Sequence, residues 1–313
     1  MKRLETLCIA GAVAVLAVSC GKEEAVREDG ASKVEFTASE LQVKTVFGEK
    51  ADGEYPVLWT SNEKVALFYN SQTGGQTGGG QYADVLPSAN GHTAGFSASF
   101  TDDGNGSHSF YAMSPLSALN WMGNEDWDGN GVNEKILYAN IPYDQIPVPG
   151  TCDEKAQIVF AKEEFSEFPD KVDLTFSHMT AYGLITSLSL PEEATEIVGL
   201  TIESDKFLSG EIYCNYNTPE TILCNDKKAQ KYIYLDVNNG GLKAKTLENV
   251  FFACTPQTDG NDVFGEGDYL KFTVYTDTDT WVKTVNFSAD RTLAFKAGRI
   301  SSFSVSAHGF EKQ

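Results

Sequence analysis

The stretch VDLTFSH at residues 172–178 alternates apolar and polar side chains from its first residue to its last. A period of two places its valine, leucine, phenylalanine and histidine on one face of a β-strand. The same alternation recurs at residues 269–275 and 281–287, on either side of a turn-forming Thr-Asp-Thr-Asp-Thr segment, and predicts a β-hairpin. Since no segment shows a long helical stripe, we expect an all-β chain.

The chain of 313 residues is long enough for two domains, each with a core of its own. Short strands separated by clusters of Gly, Asn and Pro are typical of β-sandwiches. We predict an N-terminal β-sandwich over residues 33–188 and a C-terminal one over residues 189–313. Residues 1–19 are predicted to be a lipoprotein signal peptide, and residues 20–32 a flexible tether.

The N-terminus carries the features of a bacterial secretory signal. Lys2 and Arg3 precede an apolar run that is too short to span a bilayer and ends in small residues just before Cys20. Acylation of Cys20 would anchor the protein by lipid in the outer membrane of a Gram-negative bacterium. The alternative is an ordinary signal peptide cut near Ser19. The Gly-Lys-Glu-Glu that follows the cysteine fits either an export signal for the cell surface or a solvated tether.

Charge excludes one large class of partners. The chain has 24 Lys and Arg against 44 Asp and Glu, a formal net charge of −20, and it contains four arginines. An acidic chain repels nucleic acid, and phosphate recognition favours the arginine fork. We therefore expect no nucleic-acid partner.

Cysteine usage leaves two alternatives open. Outside the signal and the acylation site, Cys152, Cys214, Cys224 and Cys254 could form two disulfides in an oxidising envelope. Cys214 and Cys224 flank a predicted turn at residues 217–220 and are the easiest pair to join. The alternative is that these cysteines are buried thiols.

An acidic loop at residues 126–134 has oxygen ligands at alternate positions and a glycine at the sixth. This spacing suits a hard cation such as calcium, since the glycine permits a sharp turn. The predicted ligands are Asp126, Asp128, Asn130, the carbonyl of Val132, and Glu134. The alternative is a solvated turn, which Asp, Asn and Gly favour in any case.

No catalytic constellation can be assembled from the sequence. The four histidines lack metal-ligand spacing, and no nucleophile-elbow motif occurs. We therefore predict a protein that is not an enzyme. Trp121 and Trp127 lie in a polar loop and are the candidates for stacking against a ligand, the alternative being core residues.

Five segments, in order, resemble the fimbrillin family, the pilins and accessory lipoproteins of type V pili. They are WTSNEKVALF at 59–68, IPYDQ at 141–145, VDLTFSHMTA at 172–181, FLSG at 207–210 and LAFKAGR at 293–299. The resemblance implies two tandem transthyretin-like β-sandwiches and a role in adhesive fimbriae. It also implies partners: other fimbrial subunits bound by strand addition, and a protein or glycan on a host or microbial surface.

In that family a protease removes an N-terminal strand after an arginine, and the opened groove accepts a strand from a neighbour. This chain departs from the pattern, because it reads Thr45-Val46 where the family often has Thr-Arg. Arg27 is the only arginine between Cys20 and Trp59. We therefore expect an anchor, tip or accessory subunit, or a stand-alone adhesin.

Two other functions remain open from the sequence. A glycan-binding lipoprotein of a polysaccharide-uptake system would expose its tryptophans together in one cleft. An envelope glycosidase would place two carboxylates about 5 to 9.5 Å apart across a groove.

Overall fold

The computed structural model describes residues 32–38, 46–47, 57–61, 64–69, 80–104, 106–126, 131–257 and 263–313. Within these residues the chain forms 24 β-strands and two single-turn 3-10 helices, at Leu116–Ala118 and Glu154–Ala156, and no α-helix. The prediction of an all-β chain is confirmed.

The strands fall into five main sheets and a two-stranded ribbon. The strands of the first half are β1 (Ser32–Ala38), β2 (Val46–Phe47), β3 (Val57–Leu58), β4 (Lys64–Tyr69), β5 (Gln81–Asp84), β6 (Leu86–Pro87), β7 (Ala94–Phe100), β8 (His108–Ser114), β9 (Leu119–Glu125), β10 (Glu134–Ile141), β11 (Asp144–Gln145), β12 (Val159–Phe165), β13 (Lys171–Leu174) and β14 (Phe176–His178). The strands of the second half are β15 (Ala181–Ser189), β16 (Ile197–Ser204), β17 (Ser209–Asn215), β18 (Leu223–Gln230), β19 (Tyr232–Leu235), β20 (Thr246–Cys254), β21 (Tyr269–Thr276), β22 (Thr280–Asn286), β23 (Ile300–Val305) and β24 (Glu311–Lys312).

The first sandwich is formed by sheet I, in the order β13-β1-β7-β6, and sheet II, in the order β14-β12-β8-β4-β5. Aromatic side chains fill the core between them. The ring of Phe110 in sheet II lies 5.7 Å from that of Phe36 and 5.8 Å from that of Phe100, both in sheet I. Burial of such rings is the main force that holds two sheets face to face.

Sheet III, in the order β18-β17-β10-β9, covers the other face of sheet II. Along β4, Val65 and Leu67 belong to the core shared with sheet I, whereas Ala66 and Phe68 belong to the core shared with sheet III. At the contact between sheets II and III, the rings of Tyr111 and Tyr216 meet edge to face at 5.0 Å. Sheet II is therefore buried on both faces.

The second sandwich is formed by sheet IV, in the order β11-β19-β16-β21-β22-β24, and sheet V, in the order β20-β15-β23. Strands β21 and β22 pair directly, as the predicted hairpin requires, and Leu270, Phe272 and Val274 lie in the core. The other face of sheet IV carries polar and tyrosine side chains. The prediction of this hairpin is confirmed.

Gln145, the glutamine of the IPYDQ segment, ties sheet IV to sheet V. Its side chain is fully buried; the amide nitrogen donates to the carbonyl of Ala253 at 2.8 Å, and the amide oxygen accepts from the N–H of Ala253 at 3.0 Å. Because Gln145 lies in β11, this clamp also joins the first half of the chain to the second.

The structure differs from the sequence prediction in two places. The stretch 172–178 is not one strand: β13 pairs with β1 in sheet I, and β14 pairs with β12 in sheet II, so the chain changes sheets at Thr175. The predicted division at 188/189 falls inside β15, just before its last residue, and the partners of β15, β20 and β23, both lie in the second sandwich. Sheet III also combines strands from both halves. A transthyretin-like topology for each sandwich stays a prediction.

Candidate functional site

A row of three aromatic rings crosses the outer face of sheet III. Tyr138 in β10 is directly opposite Trp121 in β9 and Tyr213 in β17. The ring centroids of Trp121 and Tyr138 are 5.9 Å apart, and those of Tyr138 and Tyr213 are 5.7 Å apart. All three side chains are partly exposed. Because side chains alternate between the faces of a strand, this row points away from the core that sheet III shares with sheet II.

The position of Trp121 depends on a glycine. A Cβ atom added at Gly123 would lie 2.5 Å from the nearest carbon of the indole ring, which a real Cβ could not do. Residues two apart share a face of a strand, so the indole lies over the bare backbone at Gly123.

Next to the aromatic row lies a carboxylate that is almost completely buried. Glu211 in β17 is 4% exposed, and its two oxygens accept hydrogen bonds from the side-chain amides of Asn120 and Asn225, both at 2.7 Å. The ammonium of Lys228 lies 2.9 Å from one of these oxygens and 3.0 Å from the other. A buried charge is tolerated when it is paired and hydrogen-bonded in this way.

A β-bulge explains how Glu211 obtains these partners. Gly210 pairs with Ala229 and Ile212 pairs with Cys224, so residues 225–228 of β18 oppose Glu211 alone. Gly210 has φ +93°, and a Cβ there would lie 2.5 Å from the carbonyl oxygen of Lys228. Only glycine tolerates both the positive φ and the close approach of this carbonyl oxygen. Bulges of this kind redirect side chains at functional sites.

Together these residues line a pocket of about 770 Å³: Asn120, Trp121, Glu125, Tyr138, Glu211, Asn225 and Lys228. Burial, and next its hydrogen bond to Glu125, raise the pKa of Tyr138 above the ordinary tyrosine value. The hydroxyl therefore stays protonated at neutral pH and donates to the carboxylate. The lining thus combines aromatic rings with a few fixed hydrogen-bonding groups, an arrangement typical of small-molecule binding sites.

Sequence reasoning identified one member of this pocket, Trp121. Trp127, its predicted companion, lies outside the described residues. Tyr138, Glu211 and Lys228 were missed, although the alternating stretch EKILYANI at 134–141 signals that Tyr138 and Asn140 share the face opposite Leu137.

The predicted calcium loop is only partly described, since Asp128 and Asn130 lie outside the described residues. One carboxylate oxygen of Asp126 accepts a hydrogen bond from the N–H of Gly131 at 2.9 Å, which closes the loop. Val132 is 58% exposed, and Glu134 is opposite Glu125 in the ladder of β9 and β10. Calcium binding by this loop stays a prediction.

A second acidic group lies at one end of the first sandwich. The hydroxyl of Tyr69 donates to Asp103 at 3.0 Å and lies 2.7 Å from Nδ1 of His108, which is itself 3.8 Å from Asp102. Burial is the largest of the effects that raise the pKa of Tyr69 to about 12. These contacts fasten the exposed Asp102–Asp103 segment to the buried end of β4.

The predicted disulfide between Cys214 and Cys224 is not formed in the structure, where both residues are thiols. The two strands pair with Ile212 opposite Cys224, so Cys214 is offset by two residues. Burial raises the pKa of the Cys214 thiol to about 12. Cys20, the predicted lipidation site, lies outside the described residues.

Strand β1 occupies the middle of sheet I although it is the first strand of the described chain. It pairs antiparallel with β7 over seven residue pairs and parallel with β13 over four. Val34, Phe36 and Ala38 are at most 2% exposed and belong to the core. In sheet I, β1 is the only connection between β7 and β13, so its removal would leave a long apolar groove with two unpaired strand edges.

No protein-family model matches the chain, and no curated protein matches it. Among solved structures, the chain is similar to a candidate cell adhesion protein from Bacteroides uniformis, with TM-score 0.50 and 14% identity over 92% of this chain and 97% of that one. A candidate cell adhesion protein from Bacteroides ovatus aligns with TM-score 0.51 and 12% identity over 90% of this chain and 95% of that one. A fimbrial assembly protein from Parabacteroides distasonis aligns over 90% of this chain and 94% of that one, with 12% identity and TM-score 0.40. The first two similarities extend over nearly the whole length of both chains and show that this chain shares the fold of those two candidate cell adhesion proteins, which is consistent with the resemblance to the fimbrillin family.

Proposed function

We propose that the protein is a lipid-anchored, non-enzymatic surface protein of the fimbrial or adhesin type, held in the outer membrane through Cys20. Within an assembly it occupies an end, as an anchor, tip or accessory subunit. The fold shared with candidate cell adhesion proteins supports the adhesive role. The observation that carries the proposal is the place of β1, which fills the centre of sheet I from the chain's own N-terminus.

The arginines near β1 determine where an arginine-specific protease could cut. Arg27 precedes β1, and the sequence between β1 and Trp59 contains Lys44 and Lys50 but no arginine. Cleavage after Arg27 would therefore shorten the tether and leave β1 in its groove. A subunit with a filled groove cannot accept a strand from a neighbour, so it belongs at an end of a strand-exchanged polymer.

The pocket on sheet III supports a binding role over a catalytic one. Both oxygens of Glu211 already accept hydrogen bonds from Asn120, Asn225 and Lys228, which leaves neither to attack or protonate a substrate.

For the membrane anchor, the support is the sequence before and at Cys20. Among the described residues no helix is long and apolar enough to cross a bilayer.

The position of the subunit is tested with purified chain starting at Gly21 and carrying Arg291→Lys and Arg299→Lys, so that Arg27 is the one remaining arginine. We expect an arginine-specific protease to remove only residues up to 27, as seen by mass spectrometry, and the product to stay monomeric on unheated SDS gels. Oligomer ladders after this cut would overturn the terminal position.

Val46→Arg in the same background is the matched variant, because it restores the Thr-Arg pair of the family. Cleavage after position 46 should release β1, and the emptied groove should then bind a labelled peptide of residues 32–38 or a second copy of the chain. If the cleaved variant binds neither, sheet I is not a strand acceptor and the fimbrial role is wrong.

Anchoring is tested in cells with Cys20→Ala. We expect the wild-type chain to incorporate labelled palmitate, to fractionate with the outer membrane and to be digested when intact cells are treated with protease. The variant should lose the label and leave the membrane fraction. A wild-type chain found in the soluble periplasmic fraction would contradict the proposal.

A further inference from the structure

We infer that the pocket on sheet III binds a neutral oligosaccharide, which stacks on Trp121, Tyr138 and Tyr213 and is held by the polar groups around Glu211. This names the class of ligand for the adhesive role proposed above, and its assignment as the adhesin's ligand rests on that proposal.

The aromatic row supplies the first part of the argument. A pyranose ring has faces of C–H groups, with hydroxyls around its rim, so it packs best on a flat aromatic ring that leaves its edge in contact with polar groups. Trp121, Tyr138 and Tyr213 are rigid, amphipathic and placed side by side at 5.9 and 5.7 Å, which gives a continuous stacking surface across three strands. Gly123 keeps the space that the indole needs.

The buried polar cluster supplies the second part. Hydroxyl-rich ligands are selected by a small number of fixed donors and acceptors beside an apolar surface. The Glu211 carboxylate orients the amides of Asn120 and Asn225 and the ammonium of Lys228, and each of these groups has more donors than it gives to Glu211. Lys228 is 64% exposed in its side chain, so its remaining N–H group points to the pocket or to solvent.

Charge decides between neutral and charged sugars. Lys228 compensates Glu211, and Glu125 accepts from Tyr138, which leaves no unpaired cation among the residues that line the pocket. A sialylated or sulfated ligand would meet Glu125 and a chain of net charge −20. The pocket therefore favours an uncharged oligosaccharide.

A second exposed group of aromatic rings, on sheet IV, can be compared with the rings beside the pocket. On the outer face of sheet IV, the rings of Tyr234 and Tyr275 lie 6.1 Å apart, and Tyr275 is 37% exposed. The charged pair on the same face of sheet IV, Lys271 and Glu203, is itself about as exposed, at 36% and 40%. These rings lack a buried, preorganised polar group, so Tyr275→Ala is the control substitution for the pocket.

The test uses chain starting at Gly21 and the neutral probes cellohexaose, mannohexaose and xylohexaose, with a hyaluronan hexasaccharide as the anionic probe. Binding is followed by calorimetry and by tryptophan fluorescence, to which Trp121 contributes from a partly exposed site while Trp59 and Trp281 are buried. We expect at least one neutral probe to bind, and Trp121→Ala to weaken that binding about tenfold or more. Tyr275→Ala should change it less than about twofold.

Lys228→Met provides a second variant, since it removes one donor from an exposed side chain and keeps the sheet intact. It should also weaken sugar binding. The far-UV spectrum and the melting temperature of the variant should show that it is still folded. Absence of binding by every neutral probe at millimolar concentration would overturn the inference. So would preference for the hyaluronan probe, or loss of binding in Tyr275→Ala but not in Trp121→Ala. These outcomes are separate from the proteolysis test, because oligomer ladders after cleavage at Arg27 would refute the terminal position and leave sugar binding unaffected.

Discussion

The central strands of sheet II and of sheet IV are antiparallel in both sheets, yet the two sheets differ in how much of their surface is exposed to solvent. Sheet II lies between sheets I and III, and five of the six residues of β4 are buried. Sheet IV packs on sheet V with one face only, and β21 alternates buried residues with more exposed ones along its length. The difference shows that sheet III is a cover that converts an ordinary sandwich sheet into a central layer, and that its own outer face then carries the pocket.

The largest expected effect comes from removing a ring between sheets II and III. Phe160→Ala should lower the free energy of unfolding by about 3 to 5 kcal/mol, because it leaves a cavity between two dry faces. Thr273→Ala, on the outer face of sheet IV, should change it by no more than about 0.5 kcal/mol. Urea unfolding followed by circular dichroism measures both, and equal effects would mean that sheet III does not cover sheet II in solution.

Two left-handed glycines give the next comparison. Gly210→Ala should cost about 2 to 3 kcal/mol, since it combines φ +93° with a contact of 2.5 Å to the carbonyl oxygen of Lys228. Gly241→Ala, beyond the end of β19, has φ +73° but no atom within 4 Å of the added Cβ, and should cost about 1 kcal/mol. If the two melting temperatures fall equally, the close approach of β18 at Gly210 is not rigid.

Substitution of Lys228 and of Lys243 compares an ion pair whose carboxylate is buried with ion pairs whose carboxylates are exposed. Lys228→Met removes one of three partners from the buried Glu211 and should cost about 1 to 2 kcal/mol. Lys243→Met removes an ion pair with Asp277 at 2.8 Å in which both side chains are partly exposed, and should cost less than Lys228→Met. Thermal melts at low and high salt separate the two, and a cost that salt abolishes at Lys228 would contradict the buried geometry.

The last effect is confined to alkaline pH. Burial raises the pKa of Tyr69 in the folded protein to about 12, above the value of 10.0 expected for the unfolded chain. The neutral phenol therefore contributes stability that is fully present below pH 10 and is lost as the pH rises through 12. In Tyr69→Phe, the urea concentration at the midpoint of unfolding should fall less between pH 10 and 12 than it does in the wild-type chain. An unchanged slope would mean that Tyr69 ionises without disturbing sheet II.

The alternation of apolar and polar residues predicted the strands best where one face of the sheet is exposed to solvent. The alternation at 269–275 and 281–287 predicted β21 and β22, because sheet IV buries one face only. In β8 the residues Phe110 to Ser114 are all buried, so no alternation could mark them. At 172–178 the alternation continues through a change of sheet, since Val172, Leu174 and Phe176 face the same core from sheets I and II.

Most residues of the pocket could not be predicted from the sequence. Trp121 could be singled out from its polar sequence context. Tyr138, Glu211 and Lys228 lie on other strands, up to about a hundred residues away, and only the pairing register of β9, β10, β17 and β18 brings them together. At the bulge beside Gly210, four residues of β18 oppose one residue of β17, which no periodicity in the sequence reveals.

The central place of β1 also determines how the protein would bear mechanical load. A pull transmitted through a tether from Cys20 enters the folded protein at Ser32 and acts along the axis of β1. The ladder to β7, with seven pairs, and the ladder to β13, with four, then resist in shear, so that many hydrogen bonds must yield together and do not open one after another. Sheets I, II and III stack in that order between the tether and the pocket, so force from a ligand held at Trp121 would pass through these three layers.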